Sequence, residues 1–122
     1  MKTVRFALAL FLFGSSALLF ANDFNSEVIM PNSPGVNKNV PDGQFMVIRN
    51  FTQIGGNQRG AVNVIPLGQT GMTTVLTAAI LDPTSPPEVI NEVVIAGPAT
   101  VIFTCGSDAT GNCFITFRKI SQ

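Results

Sequence analysis

Two cysteines are the residues of this sequence whose type and spacing predict a definite chemistry. Cys105 and Cys113 are the only cysteines in the 122 residues, and the Gly-Ser-Asp-Ala-Thr-Gly-Asn segment between them is typical of a turn. Two thiols without companion ligands do not make a metal site. We therefore predict a disulfide, which in the loop-entropy account stabilises a fold by about 2–3 kcal/mol.

Groups that could perform acid–base catalysis are scarce. The sequence has no histidine, tryptophan or tyrosine, which excludes Ser-His and Cys-His mechanisms and any metal site that contains histidine. Glu88 and Glu92 would lie about 13 Å apart on one side of a strand, farther than the paired carboxylates of glycosidases. We predict no enzyme activity, no metal and no cofactor, with a carboxylate-based enzyme as the less favoured alternative.

Two weaker motifs have simpler explanations. Asp108, Thr110 and Asn112 offer oxygen ligands in the cysteine loop, but turn formation explains them, and calcium takes six to eight ligands. Asn50 begins an Asn-Phe-Thr glycosylation motif. It falls inside a predicted strand, and the sequence does not reveal whether it is modified.

The first 21 residues have the pattern of a secretory signal peptide. A short basic start, which contains Lys2 and Arg5, precedes an apolar run that ends at Phe20, and Ala21 offers a small residue for cleavage. The run of about 15 residues is shorter than the roughly 20 that span a bilayer. The pattern predicts a cleavable signal helix over residues 1–21 and a secreted protein, extracellular or periplasmic, with no membrane association after cleavage.

Charge argues against nucleic acid as a partner. The whole sequence holds seven basic and seven acidic residues, and two of the basic residues, Lys2 and Arg5, lie in the predicted leader. The remainder therefore carries five basic against seven acidic residues. A nucleic-acid-binding surface needs a basic surplus, so we exclude that partner class.

Residues 22–43 form a segment of different composition, rich in asparagine and proline. Its only compact apolar stretch is Val28-Ile29-Met30. Prolines remove backbone donors and asparagines favour turns, so we interpret the segment as an extended N-terminal arm. Such an arm could pair with a sheet edge of another copy, or it could dock as a strand within its own domain.

Residues 44–122 show the pattern of a small all-β domain. Valine, isoleucine and threonine dominate, and these β-branched residues favour strands over helices. Turn residues divide the domain into about six strands, at Gln44–Ile54, Gly60–Leu67, Met72–Leu81, Glu88–Ala96, Ala99–Cys105 and Cys113–Ile120. We predict a single small antiparallel β-sandwich, either immunoglobulin-like or jelly-roll-like.

The last two predicted strands form a hairpin if the cysteines face each other. Side-chain alternation then predicts one core face, made of Val101, Phe103, Ile115 and Phe117. The opposite face is mostly polar, but Ile102 and Phe114 interrupt it. These two are lone exposed apolar residues or part of a surface for a partner.

The sequence favours a secreted, non-enzymatic binding or structural module that acts through sheet edges, faces or loops. We expect protein partners or self-association by strand pairing. The alternative is a secreted inhibitor or small-ligand binder that uses the disulfide loop. The residues that could form a partner surface are Val28, Ile29, Met30, Ile102 and Phe114.

Overall fold

A computed structural model describes residues 23–82 and 92–121 of the chain. The predicted signal peptide, residues 1–21, lies outside the described residues, as does Glu88. Within the described part, no helix is long and apolar enough to span a membrane. All the regular structure described below is β-structure.

Residues 23–82 and 92–121 contain nine strands, which form two sheets packed face to face. They are β1 (Asn25–Ile29), β2 (Val36–Val40), β3 (Gln44–Ile54), β4 (Ala61–Pro66), β5 (Thr73–Thr77), β6 (Ala79–Leu81), β7 (Val93–Ala96), β8 (Ala99–Thr104) and β9 (Cys113–Ser121). The first sheet has the order β1-β9-β3-β6, with β7 also on β3, and the second has the order β2-β8-β4-β5. All pairs are antiparallel except β3 with β6.

The core lies between the two sheets because alternate residues of each strand point inward. In β8 the side chains of Val101 and Phe103 are fully buried, and in β9 Cys113 and Ile115 are fully buried while Phe117 is 5% exposed. The rings of Phe103 and Phe117 lie 5.4 Å apart between their centroids. The predicted all-β sandwich and its predicted core residues are confirmed.

The described residues form nine strands rather than the predicted six. The predicted strand Met72–Leu81 is two strands, because the chain passes from the second sheet to the first at Ala78. At this crossing Ala78 N–H donates to the Gly60 carbonyl at 2.9 Å, and Arg59 Nη1 donates to the Ala78 carbonyl at 2.8 Å. A strand that changes sheets must bend, and the apolar alternation alone does not show the bend.

The other two additional strands lie in the segment interpreted as an extended arm. β1 pairs with β9 and β2 pairs with β8, both within the same chain. Their inward residues Ile29 and Val40 are 1% and 0% exposed. Asparagines occupy the outward positions of β2, and Lys38 takes the inward position between Val36 and Val40, so its sequence has little of the apolar content by which strands are recognised.

The predicted hairpin between the last two strands is wrong. β8 belongs to the second sheet and β9 to the first, so Phe103 and Phe117 meet across the core rather than side by side in one sheet. The loop between the cysteines is long enough to cross the sandwich, and the sequence alone did not distinguish that path from a tight return. The prediction of the core residues nevertheless holds, because β8 and β9 both point them into the space between the sheets.

Candidate functional site

An apolar strip crosses the outer face of the first sheet. The strip consists of Val28 on β1, Phe114 on β9, Ile54 on β3 and Leu81 on β6. Val28 lies directly opposite Phe114, and Ile54 lies opposite Leu81. Thr52 links the two pairs, since it is the partner of Phe114 and lies two residues before Ile54 on the same face.

Every member of the strip is substantially open to solvent. The exposed fractions are 57% for Val28, 41% for Phe114, 52% for Ile54 and 47% for Leu81. Isolated exposed apolar residues are common, whereas contiguous ones indicate a surface that another molecule covers. The strip carries no charge, as is typical of the centre of a protein–protein interface.

The turn between β4 and β5, together with β5 itself, carries a second group of exposed apolar residues. This hairpin patch consists of Leu67, Met72 and Val75, which are 78%, 57% and 39% exposed. It belongs to the second sheet, whereas the apolar strip belongs to the first.

Most of the remaining outer face of the first sheet is polar. Ser26 and Thr116 are joined through their hydroxyls at 3.1 Å. Beyond them, the guanidinium groups of Arg49 and Arg118 lie 5.0 and 4.8 Å from the centroid of the Phe24 ring. Arg49 Nε also donates to Glu92 at 3.0 Å. This end of the face is therefore charged, although Val94 on β7 also lies there with 58% of its surface exposed.

The structure separates the residues predicted to form one partner surface. Val28 and Phe114 are neighbours in the strip, and Met30 follows β1 with 63% of its surface exposed. Ile29 points inward and is buried, so it belongs to the core. Ile102 is half-buried on the outer face of the second sheet, because β8 lies in that sheet.

Ile54 and Leu81 are strip residues that the sequence reasoning did not single out. Both end predicted strands, and Ile54 stands next to the Gly55-Gly56 turn. The alternation of β3 places Ile54 on the face opposite Gln53 and therefore outward. The parallel pairing with β6 that brings Leu81 beside it carries no local signal.

The structure joins Cys105 and Cys113 in a disulfide and fastens the intervening loop to its neighbour. The two Cα atoms are 5.6 Å apart. Thr110 and Gly111 each donate a backbone N–H to the Ile54 carbonyl, at 2.9 and 3.1 Å. The loop is thus bound along its length and borders the strip.

A buried amide completes this attachment. Gln53 is fully buried, and its Nε2 donates to the carbonyls of Gly55 and Gln58 at 3.0 and 2.7 Å. Its Oε1 accepts the backbone N–H groups of Gly60 and Gly106 at 2.8 and 3.1 Å. A Cβ at Gly106 would collide with the Gln58 carbonyl oxygen, so this close approach requires glycine.

Asp108 holds the same two loops together from the outside. Its carboxylate oxygens accept the backbone N–H groups of Asn57 and Gln58 at 2.8 and 2.9 Å. These hydrogen bonds favour the ionised form and hold the pKa of Asp108 below its ordinary value of 3.8. The carboxylate therefore has a structural role in the turn, which agrees with the turn interpretation of this loop.

Comparison with known proteins gives a similarity of fold. No protein family model and no curated protein sequence matches this chain. Among solved structures, it is similar to the Drosophila NLP core, a protein core studied for its pentamer formation and histone binding. The TM-score is 0.52 at 18% sequence identity, and the match covers 80% of this chain and 98% of the other.

This match corrects several expectations from the sequence. The solved protein that shares the fold forms pentamers and binds histones, so the fold does not point to a secreted, immunoglobulin-like protein. The predicted function as a secreted binding or structural module, including its inhibitor alternative, is contradicted, as is the predicted extracellular or periplasmic localisation. The predicted β-sandwich and the predicted disulfide agree with the structure.

Proposed function

We propose that this chain is the subunit of a homo-oligomer of five copies, and that it acts through this assembly rather than through catalysis. The observation that carries the proposal is the apolar strip, which crosses four strands of one sheet without a charged residue. The pentamer formation of the similarly folded Drosophila protein supports it.

Burial of the strip would favour association. Apolar surface removed from water contributes about 25 cal/mol per Å², and each strip residue still exposes between 41% and 57% of its surface. The strip residues project from one face of the sheet, so covering them leaves the hydrogen bonds that join β1, β9, β3 and β6 in place. Association by this face therefore differs from strand pairing at an edge.

A five-membered ring requires two different surfaces on each subunit. A two-fold interface uses the same patch on both partners, whereas a cyclic ring of odd number is built from head-to-tail contacts. The hairpin patch offers a second apolar surface, and it belongs to the opposite sheet from the strip. We infer that the strip of one subunit covers the hairpin patch of the next.

Histone binding is not part of the proposal. Histones are highly basic, and their recognition favours an acidic surface. This sequence balances seven basic with seven acidic residues, and two of the described carboxylates, Glu27 and Glu92, already pair with basic side chains. The charge distribution therefore gives no separate support for a strongly basic partner.

Light scattering coupled to size-exclusion chromatography tests the proposal. The expected mass is that of five copies of the chain, which is 12.9 kDa before any processing. The mass of a single chain at every protein concentration would overturn it.

A further inference from the structure

A polar cleft of about 500 Å³ opens on the side of the sandwich away from the hairpin patch. It lies at the edge strands β1 and β2, each of which pairs with one strand among the described residues. Its walls include Asp23, Asn25, Glu27, Lys38, Phe117 and Lys119. The volume lies within the range of about 300–1,000 Å³ that small-ligand sites occupy.

One ion pair joins the two edges across the cleft. Lys38 on β2 pairs with Glu27 on β1, and the side chains are 27% and 26% exposed. The Lys38 ammonium also lies 5.6 Å from the centroid of the Phe117 ring. These two charges are therefore compensated within the chain and close one side of the cleft.

Lys119 is a cation without such compensation. It lies on β9 at a position that faces the core side of the sheet. It follows the buried Phe117 by two residues and is paired with the buried Met46. Lys119 belongs to neither the Lys38–Glu27 nor the Arg49–Glu92 ion pair, and it forms no ion pair with the carboxylates of residues 23–82 and 92–121. An ammonium group on the core side of a strand needs an anion or water to offset its partial desolvation.

Asp23 brings the opposite charge into the same cleft. Its carboxylate forms no ion pair with the basic groups of residues 23–82 and 92–121. The cleft thus presents one uncompensated cation and one uncompensated anion that do not pair with each other. A ligand with two opposite charges would satisfy both at once.

We propose that this cleft binds a small zwitterion that carries a carboxylate and an amine, namely an amino acid or a short peptide. The ligand carboxylate binds Lys119, and the ligand ammonium binds Asp23. Charge-assisted hydrogen bonds at both ends fix the ligand's direction. Lys119 and Asp23 are not residues of the apolar strip, so the proposal does not rest on the proposed oligomer.

Addition of a long peptide strand to either edge is the less favourable use of this region. Lys38 and Glu27 point inward from the two edge strands, and inward charges on edge strands oppose further strand pairing. A small ligand leaves that ion pair in place.

A series of ω-amino acids tests the proposal and measures the charge separation that the site prefers. Glycine, 4-aminobutyrate, 6-aminohexanoate and glycylglycine are titrated into the isotopically labelled full chain, and backbone amide shifts are followed by NMR. Propionate and propylamine, with one charge each, are the controls. We expect at least one zwitterion to give saturable shifts in β1 and β9, with an affinity about tenfold or more above that of either control.

Variants identify the two anchors. Lys119→Met and Asp23→Asn are each expected to weaken zwitterion binding about tenfold or more, whereas Lys119→Arg retains most of it. Asp42→Asn, an exposed carboxylate in the turn before β3 and outside the cleft, is the matched control and leaves binding unchanged. Circular dichroism confirms that each variant is folded.

The titrations and the variants either identify the ligand class or overturn the proposal. Preference for glycylglycine over the free amino acids identifies a peptide ligand, and the reverse identifies an amino acid. Absence of saturable shifts with every zwitterion overturns the proposal. Equal binding of propionate, or unchanged binding in Lys119→Met and Asp23→Asn, also overturns it, because the two-point recognition would then be absent.

Discussion

Gln53 occupies a position where the strand pattern calls for an apolar side chain. It points into the core between Phe51 and the disulfide end of the sandwich, and it is fully buried. Its amide binds four backbone groups of two loops. A buried polar group that is fully hydrogen-bonded fixes one arrangement of its neighbours, since every alternative leaves donors or acceptors unpaired.

Replacement of this amide by an apolar side chain of similar size should destabilise the protein strongly. Gln53→Met leaves four backbone groups without their partner. The N–H groups of Gly60 and Gly106 are buried, and each such unpaired group costs about 1–3 kcal/mol. We expect the free energy of unfolding, measured by urea titration, to fall by about 3 kcal/mol or more. Gln69→Met in an exposed turn is the control, expected within about 0.5 kcal/mol of wild type. Equal stability of the two variants would contradict this role.

The carboxylate of Asp108 should make stability depend on pH. Because its pKa is lower in the folded state than in the unfolded state, its contribution is fully present above the unfolded value. It is lost as the pH falls through the lower, folded value, so the loss lies below about pH 4. We expect Asp108→Asn to lower the melting temperature at neutral pH and to match wild type at the acidic end. A difference that is constant with pH would contradict the assignment.

Sequence reasoning at the residue scale succeeds where a side chain follows the strand pattern. Val101, Phe103, Ile115 and Phe117 were predicted as core from alternation, and they are core. Gln53 was not predicted, because a glutamine within a strand suggests exposure. The four backbone groups that satisfy it come from two loops far apart in sequence.

Adjacent residues of β1 have opposite environments, which gives a test at the scale of the element. Ile29 is 1% exposed and Val28 is 57% exposed. We expect Ile29→Ala to lower the free energy of unfolding by about 2–4 kcal/mol through lost packing, and Val28→Ala to leave it nearly unchanged. If chemical denaturation finds both variants equally stable, β1 is not part of the folded core.

The disulfide links the end of β8 in one sheet to the start of β9 in the other. Its removal therefore frees the connection between the sheets. We expect the Cys105→Ala and Cys113→Ala double variant to lose about 2–3 kcal/mol of unfolding free energy. Reduced wild type, compared with the oxidised protein in the same denaturant series, should show a loss of the same size. No change on reduction would contradict the prediction.

Element boundaries were easier to predict than element partners. The predicted span of β3, Gln44–Ile54, agrees with the structure, and β4 differs by one residue at each end. Boundaries follow from local turn residues such as Gly55-Gly56. Sheet membership depends on distant pairings, so the positions of β8 and β9 in different sheets and the parallel pairing of β6 could not be read from local sequence.

At the scale of the molecule, a head-to-tail interface predicts complementation between two variants. Phe114→Asp disables the strip but leaves the hairpin patch intact, and Met72→Asp does the reverse. We expect each variant alone to be a monomer and their mixture to have the mass of one chain of each. A mixture that stays monomeric would contradict the head-to-tail arrangement, because two-fold association through the strip alone cannot be rescued in this way.

The β-sandwich could be predicted because the β-branched composition and the alternation of apolar and polar residues recur from strand to strand. The association surface was only partly predictable. Phe114 was predicted on an outward face, and Val28 was predicted only as part of the apolar stretch of the arm. Their contiguity with Ile54 and Leu81 arises from pairings across four strands. The separation of Ile102 from Phe114 was equally unpredictable, because it depends on which sheet each strand joins.

The central claim is that the apolar strip holds the subunits together, and sedimentation velocity of Phe114→Asp tests it most directly. Asn39→Asp places the same charge on an exposed position of β2, away from the strip and the hairpin patch. The account predicts that wild type and Asn39→Asp sediment as the same assembly of five, while Phe114→Asp sediments as a folded monomer. A Phe114→Asp protein that sediments with the wild-type assembly would contradict it.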